Sequence, residues 1–125
     1  MSSEHLEQVA LFNILRRYED KYPELKWVFA IPNGGHRHIS VARKMKAEGV
    51  KAGVWDIFCP FMPWWRDEGG LWIEMKAGNN KLTSNQQAFR DAVGGEYQWA
   101  VCYSAEEACH AIGEYLDIDE LKGVE

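Results

Sequence analysis

Three charged side chains carry the chemistry this sequence could do: Asp56, Glu74 and Lys76. Glu74 and Lys76 stand two apart in the run Ile73, Glu74, Met75, Lys76. Residues 71–75 are rich in strand formers, so both side chains project from one face of a strand. Asp56 lies in a second such run, residues 54–58, which a hairpin brings alongside. Two carboxylates set together in an apolar sheet are costly unless one takes up a proton or a cation neutralises the pair. Mg²⁺ (or Mn²⁺) suits that role because it prefers oxygen donors and keeps waters. Asp56, Glu74 and the Met75 backbone carbonyl would leave positions for water and a phosphate oxygen. Such an ion acidifies a bound water and polarises a phosphate. Lys76 would lie beside that water, where it could orient it, deprotonate it or stabilise charge on the phosphorane, and the three roles stay open. An Asp followed by ExK is a short pattern. Taken alone it also describes a strand-end aspartate and an exposed cross-strand Glu–Lys pair.

The elements that must position these groups follow from hydrophobic period and punctuation. Residues 4–18 place apolar groups at helical spacing after Ser2 and Ser3, two candidate caps, and Pro23 closes the segment. Residues 27–31 (WVFAI) read as a strand stopped by Pro32, Asn33, Gly34 and Gly35. Residues 39–48 read as a basic helix with Val41, Ala42 and Met45 on one side and Gly49 as its C-terminal glycine. Strands 54–58 and 71–75 form a hairpin across a long loop. A helix from Thr83 through Ala92 ends at Gly94, residues 97–102 form another strand, and residues 104–116 form a final helix capped by Ser104 with Glu107. The order α-β-α-β-β-α-β-α predicts one α/β domain over residues 1–116, a mixed central sheet flanked by helices on both faces. Residues 117–125 read as a frayed acidic tail. Trp27, Trp55, Trp72 and Trp99 are expected in strands and in the core. Trp64 and Trp65, in the Pro- and Gly-bounded loop 60–70, are expected at an interface or folded back on the core rather than stacked on an unpaired base.

Composition narrows the partners. At 125 residues with 46% hydrophobic and 26% charged residues, the chain is long enough for one core and is globular in type. No apolar run approaches the ~20 residues of a membrane span, and the first residues lack the basic flank and apolar stretch of a signal peptide, so a cytoplasmic location without membrane contact is expected. Cys59, Cys102 and Cys109 show no paired or zinc spacing and read as reduced, buried thiols. A net charge of -5 excludes a protein that coats nucleic acid by bulk positive charge. The charge is uneven, however. From Gly34 to Gly53 the residues Arg37, Arg43, Lys44, Lys46 and Lys51 face a single acid, Glu48, for +4, while five acids and one lysine occupy residues 113–125. The segment 34–53 is therefore the candidate DNA face, with Asn33, Gly34, Gly35, His36 and Arg37 as a phosphate-binding loop and Lys44 and Lys51 beyond it. His36 and His38, two apart in a loop with no third ligand nearby, do not read as a zinc pair.

Taken in order, these motifs resemble the virus-type replication-repair nuclease (VRR-NUC) family of the PD-(D/E)xK superfamily. The resemblance covers residues 4–116 and rests on Glu4 with Gln8 in the opening helix, residues 32–35, residues 49–56, residues 73–76 and residues 82–86. It implies a restriction-endonuclease-like fold in which Asp56 and Glu74 bind the metal, Lys76 is the catalytic lysine and an acidic residue of the first helix completes the site. Glu4 matches the family's E-x-x-x-Q spacing, and Glu7 is the neighbouring alternative. Gln86 matches a polar position that orients substrate or water. The implied activity is metal-dependent, structure-specific cleavage of DNA, in the manner of a Holliday-junction resolvase. A homodimer would set two sites on opposed strands in the cytosol of a bacterium or a phage-infected host. A flap or duplex-end nuclease is an alternative, as is a catalytically idle DNA-binding or dimerisation module with the same fold.

Overall fold

Helix α1, Ser3–Tyr18, turns Leu11 and Leu15 into the core and is followed by a single 3-10 turn over Pro23–Trp27. The computed structural model describes residues 3–32 and 38–125. Strand β1 is only Phe29–Ala30, helix α2 is Ile39–Ala47, and strands β2, Ile57–Cys59, and β3, Leu71–Met75, form the expected hairpin. Helix α3, Ser84–Val93, strand β4, Gln98–Cys102, helix α4, Ala105–Leu116, and a last helix α5, Asp119–Lys122, complete the chain. The sheet order is β1-β2-β3-β4. The first two pairings are antiparallel and β3 with β4 is parallel, so the sheet is mixed as expected.

Strand alternation sorts the sheet into two faces. Ile57, Cys59, Leu71, Ile73, Met75 and Cys102 point to one side, where Leu11 and Leu15 of α1 and Ala108, Cys109 and Ile112 of α4 complete the main core. Each such aliphatic side chain contributes about 1.5–3 kcal/mol when fully buried. The intervening residues Phe58, Trp72 and Trp99 point to the other side. There Trp72 stacks on Trp99 with ring centroids 5.9 Å apart, and Phe89 of α3 meets both edge-on. Helices therefore cover both faces, and the order of elements expected from hydrophobic period folds into an α/β domain. Burial pushes the thiols of Cys59 and Cys102 up to about 12, in keeping with inert, reduced cysteines.

Several expectations are corrected. The strand expected over residues 27–31 shrinks to two residues, because Trp27 belongs to the preceding 3-10 turn and is 66% exposed. Trp55 is buried as expected, but it precedes β2 rather than lying in it. Helix α2 keeps its expected limits, with His38 Nδ1 accepting from the Ser40 backbone N–H at 3.2 Å and Gly49 at φ 100° behind it, yet none of its residues is buried and Val41 is exposed. Residues 117–125 do not fray. Ile118 and Leu121 are in the core, Glu120 takes Lys21 Nζ at 2.6 Å and the Tyr22 hydroxyl at 2.8 Å, and His110 Nε2 lies 2.7 Å from the Val124 carbonyl. Trp64 and Trp65 do not fold back on the core either, at 91% and 46% exposure; their loop is instead anchored by Arg66, which donates to the Tyr115 and Glu114 carbonyls at 2.8 and 2.7 Å.

Candidate functional site

Asp56 stands immediately before β2, and the antiparallel register that opposes Ile57 to Ile73 carries it to Glu74. It is fixed from both sides. Its carbonyl accepts from the Ile31 N–H at 2.7 Å, its N–H donates to Glu74 Oε1 at 3.2 Å, and its Oδ2 accepts from the Met75 N–H at 2.9 Å. Glu74 sits on β3, a central strand, and is 3% exposed. Lys76 follows two residues later with its side chain on the same face, and its Nζ lies 3.5 Å from Glu74 Oε2. The Lys76 backbone N–H continues the parallel ladder by donating to the Cys102 carbonyl at 2.9 Å. These charged groups share the sheet face that carries Phe58 and Trp72 farther along the same strands, so an aromatic layer seals one end of the site.

Gln86 joins them from α3. Thr83 caps this helix by accepting from the Gln86 N–H at 3.2 Å, while Gln86 Oε1 accepts from the Thr83 N–H at 2.9 Å, a reciprocal capping box. With its oxygen so engaged, the amide presents its nitrogen, and Nε2 donates to Glu74 Oε2 at 2.9 Å. The helix is brought close enough by two devices that the motifs did not reveal. The Trp55 indole N–H donates to the Gln86 carbonyl at 3.0 Å, and Gly53, at φ 91°, lies where a Cβ would strike the Asn85 backbone. Both residues sit in the run that ends at Asp56; what a single sequence lacked was the long-range contact to residues 85 and 86.

The electrostatics follow from this crowding. Burial, then the Asp56 carboxylate, pushes Glu74 up to about 8 against the pull of Lys76. Burial likewise raises Asp56, with the Glu4 charge adding to it against the Met75 N–H. Glu4 and Asp56 line the same groove between α1 and β1, whereas Glu7 turns away and accepts from the Ala105 N–H at 2.9 Å, capping α4. Of the two acids of the first helix, Glu4 is thus the one whose charge reaches Asp56. Among the described residues, no group of three or more His, Cys, Asp or Glu side chains forms a metal cage. The donor set nonetheless fits a hard cation, since two adjoining carboxylates offer the oxygen donors that Mg²⁺ prefers and its protein ligation is sparse. Asn33, Gly34, Gly35, His36 and Arg37 lie outside the described residues. Lys44 and Lys51 are exposed, Lys44 on α2 and Lys51 just after it.

Against solved structures, the chain matches a VRR_NUC domain protein at TM-score 0.72 and 25% identity, over 93% of this chain and 89% of the other. The chain has the VRR_NUC fold. No protein-family model matches the sequence, and no curated protein matches it. No helix of the described residues is long and apolar enough to cross a membrane.

Proposed function

We propose that this VRR_NUC-type domain is a divalent-metal-dependent deoxyribonuclease that hydrolyses phosphodiester bonds in structured DNA, with a four-way junction as its substrate and a homodimer as its working form. The VRR_NUC structural neighbour supports a nuclease-type domain. The observation that carries the finer reading is the grouping of half-buried Asp56 with buried Glu74 and Lys76 at one end of the hairpin, the two carboxylates fixed by backbone N–H donors and the ammonium by its ion pair with Glu74. A structural ion pair has no need of the second carboxylate, whose presence raises the cost of burial. Asp56, Glu74 and the Met75 carbonyl would hold Mg²⁺ or Mn²⁺, with Glu4 reaching the same place from α1. When bound, the cation supplies an acidified water and polarisation of the phosphate. Lys76 Nζ then lies where it orients the nucleophile or meets negative charge on the phosphorane. Gln86 holds Glu74 Oε2 in place. Exposed Lys44 and Lys51, with the loop 33–37, would take the DNA backbone.

A substrate panel tests this: a four-way junction, a flap and a linear duplex, each with Mg²⁺ or Mn²⁺, alongside the solution mass of the protein. Paired cuts in the junction and the mass of a dimer are the expected results. Binding of the junction without cleavage of any substrate would make the chain an idle DNA-binding module, and a monomer cutting flaps or duplex ends would replace the junction reading.

A further inference from the structure

The loop that joins β2 to β3 holds two tryptophans away from the core, pinned on either side. Before them, the Tyr115 hydroxyl of α4 donates to the Phe61 carbonyl at 2.6 Å. After them, Arg66 donates to the Tyr115 and Glu114 carbonyls in the last turn of α4, and its guanidinium lies 4.8 Å from the centroid of the Tyr115 ring. Between these anchors Trp64 is almost wholly exposed and Trp65 about half exposed, with ring centroids 5.7 Å apart and planes nearly perpendicular. Met62 beside them is exposed as well. These side chains, with Tyr22, Leu116 and Ile118, line a groove of about 250 Å³. Clustered exposed apolar side chains mark binding surfaces, and tryptophan is prominent among the residues that dominate the energy of such surfaces. A loop already anchored has little left to order on binding.

Charge selects the occupant. The groove lining includes Glu24 and Asp117 and no base. Segments 60–70 and 113–125, which build most of it, hold seven acids against two bases. Lys21, Arg66 and Lys122 are already engaged with Glu120, Glu68 and Asp117, whereas Glu24 forms no ion pair among the described residues. Such a surface repels the phosphates of DNA, and a two-fold contact with a second copy would set the same acids against each other. A cation is drawn instead, because an arginine guanidinium lies favourably over the face of an indole and pairs with a carboxylate. We propose that the Trp64–Trp65 loop docks a basic segment of a partner protein, with an arginine on the indole rings, paired with Glu24, and a neighbouring apolar side chain in the groove. The loop leaves the hairpin at the end opposite Asp56 and Glu74, so docking here tethers the domain to its partner without entering the carboxylate site. The inference stands apart from the nuclease reading.

The test is fluorescence anisotropy of a short labelled peptide of alternating arginine and leucine, and of the same peptide with glutamate in place of arginine, on the intact protein and on Trp64→Ser, Trp64→Phe and Glu24→Gln. The basic peptide should bind the intact protein and the acidic one should not. Trp64→Ser alters a side chain that buries almost nothing, so its urea midpoint and any DNA cleavage should match those of the intact protein, while peptide binding weakens at least about tenfold. Trp64→Phe should keep most of the affinity, and Glu24→Gln should weaken it about two- to fivefold, less so at high salt. No binding of the basic peptide by the intact protein overturns the proposal, as does equal affinity in Trp64→Ser. Two other results overturn it by naming a different occupant: a labelled oligonucleotide whose binding falls with Trp64→Ser in place of the peptide, or sedimentation showing that Trp64→Ser turns a dimer into a monomer with peptide binding unchanged.

Discussion

If Asp56 and Glu74 are crowded as the structure shows, the metal-free protein must lose stability as pH rises. Burial and the Asp56 charge lift Glu74 from 4.5 to about 8 in the folded state, and Asp56 is lifted as well. Between those two values the folded protein binds more protons than the unfolded chain, so unfolding free energy falls with pH. This contribution is complete below about pH 4.5 and is lost as pH passes through about 8. A shift of that size corresponds to roughly 3–5 kcal/mol at 1.36 kcal/mol per unit, a large part of the ~5–15 kcal/mol that holds a domain together. In a chelating buffer the thermal midpoint should therefore fall by on the order of 10 °C from about pH 5 to pH 8. Glu120 acts in the opposite sense: Lys21 and Tyr22 hold it down near 2, so its stabilisation is lost only as pH drops below 4.5. The perturbation that isolates the site is Glu74→Gln, which removes the titrating group and should flatten the profile, while saturating Mg²⁺ should flatten it in the intact protein by neutralising the pair. Urea unfolding across pH, with and without chelator, measures all of this. A metal-free stability that is flat or rising from pH 5 to 8, or an unchanged slope in Glu74→Gln, would refute the claim that the two carboxylates are forced together.

Three further outcomes follow from particular contacts. Glu7→Ala should cost about 1 kcal/mol by stripping the Ala105 N–H of its partner while leaving cleavage intact, and Glu4→Ala should abolish cleavage without that cost; reversed results in unfolding and nuclease assays would exchange their roles. Leu121→Ala should lower stability by about 2–5 kcal/mol, whereas a frayed tail would give almost nothing in the same urea titration. Trp55→Phe removes the indole bond to the Gln86 carbonyl, so it should lower stability by about 1 kcal/mol and slow cleavage of the same DNA without changing its binding, which single-turnover kinetics and a binding titration would separate.

The site was more legible than parts of the scaffold around it, for a physical reason. Strand side chains alternate with period two, so Glu74 and Lys76 had to share a face, and a hairpin had to bring the neighbouring strand to them. The capping box at Thr83 and Gln86 was equally local. Strand-forming composition does not say where pairing stops, so Trp27 falls outside β1, which among the described residues has a single partner strand and takes only two residues. Acidity hid the helix at the C-terminus, since Ile118 and Leu121, three apart among charged neighbours, become core only when α4 is there to receive them. Helix α2 shows the reverse case, an expected amphipathic pattern none of whose residues is buried. The positioning roles of Trp55 and Gly53 are not legible locally, because their partners lie some thirty residues away on α3.

The central claim is that Asp56, Glu74 and Lys76 form a hydrolytic site for DNA. Single-turnover cleavage of a labelled four-way junction with Mg²⁺, by the intact protein and by Lys76→Ala and Asp56→Ala of verified fold, tests it most directly. The intact protein should cut the junction, and each variant should lose at least about a hundredfold in rate with junction binding retained. Cleavage by Lys76→Ala at the rate of the intact protein would contradict the claim.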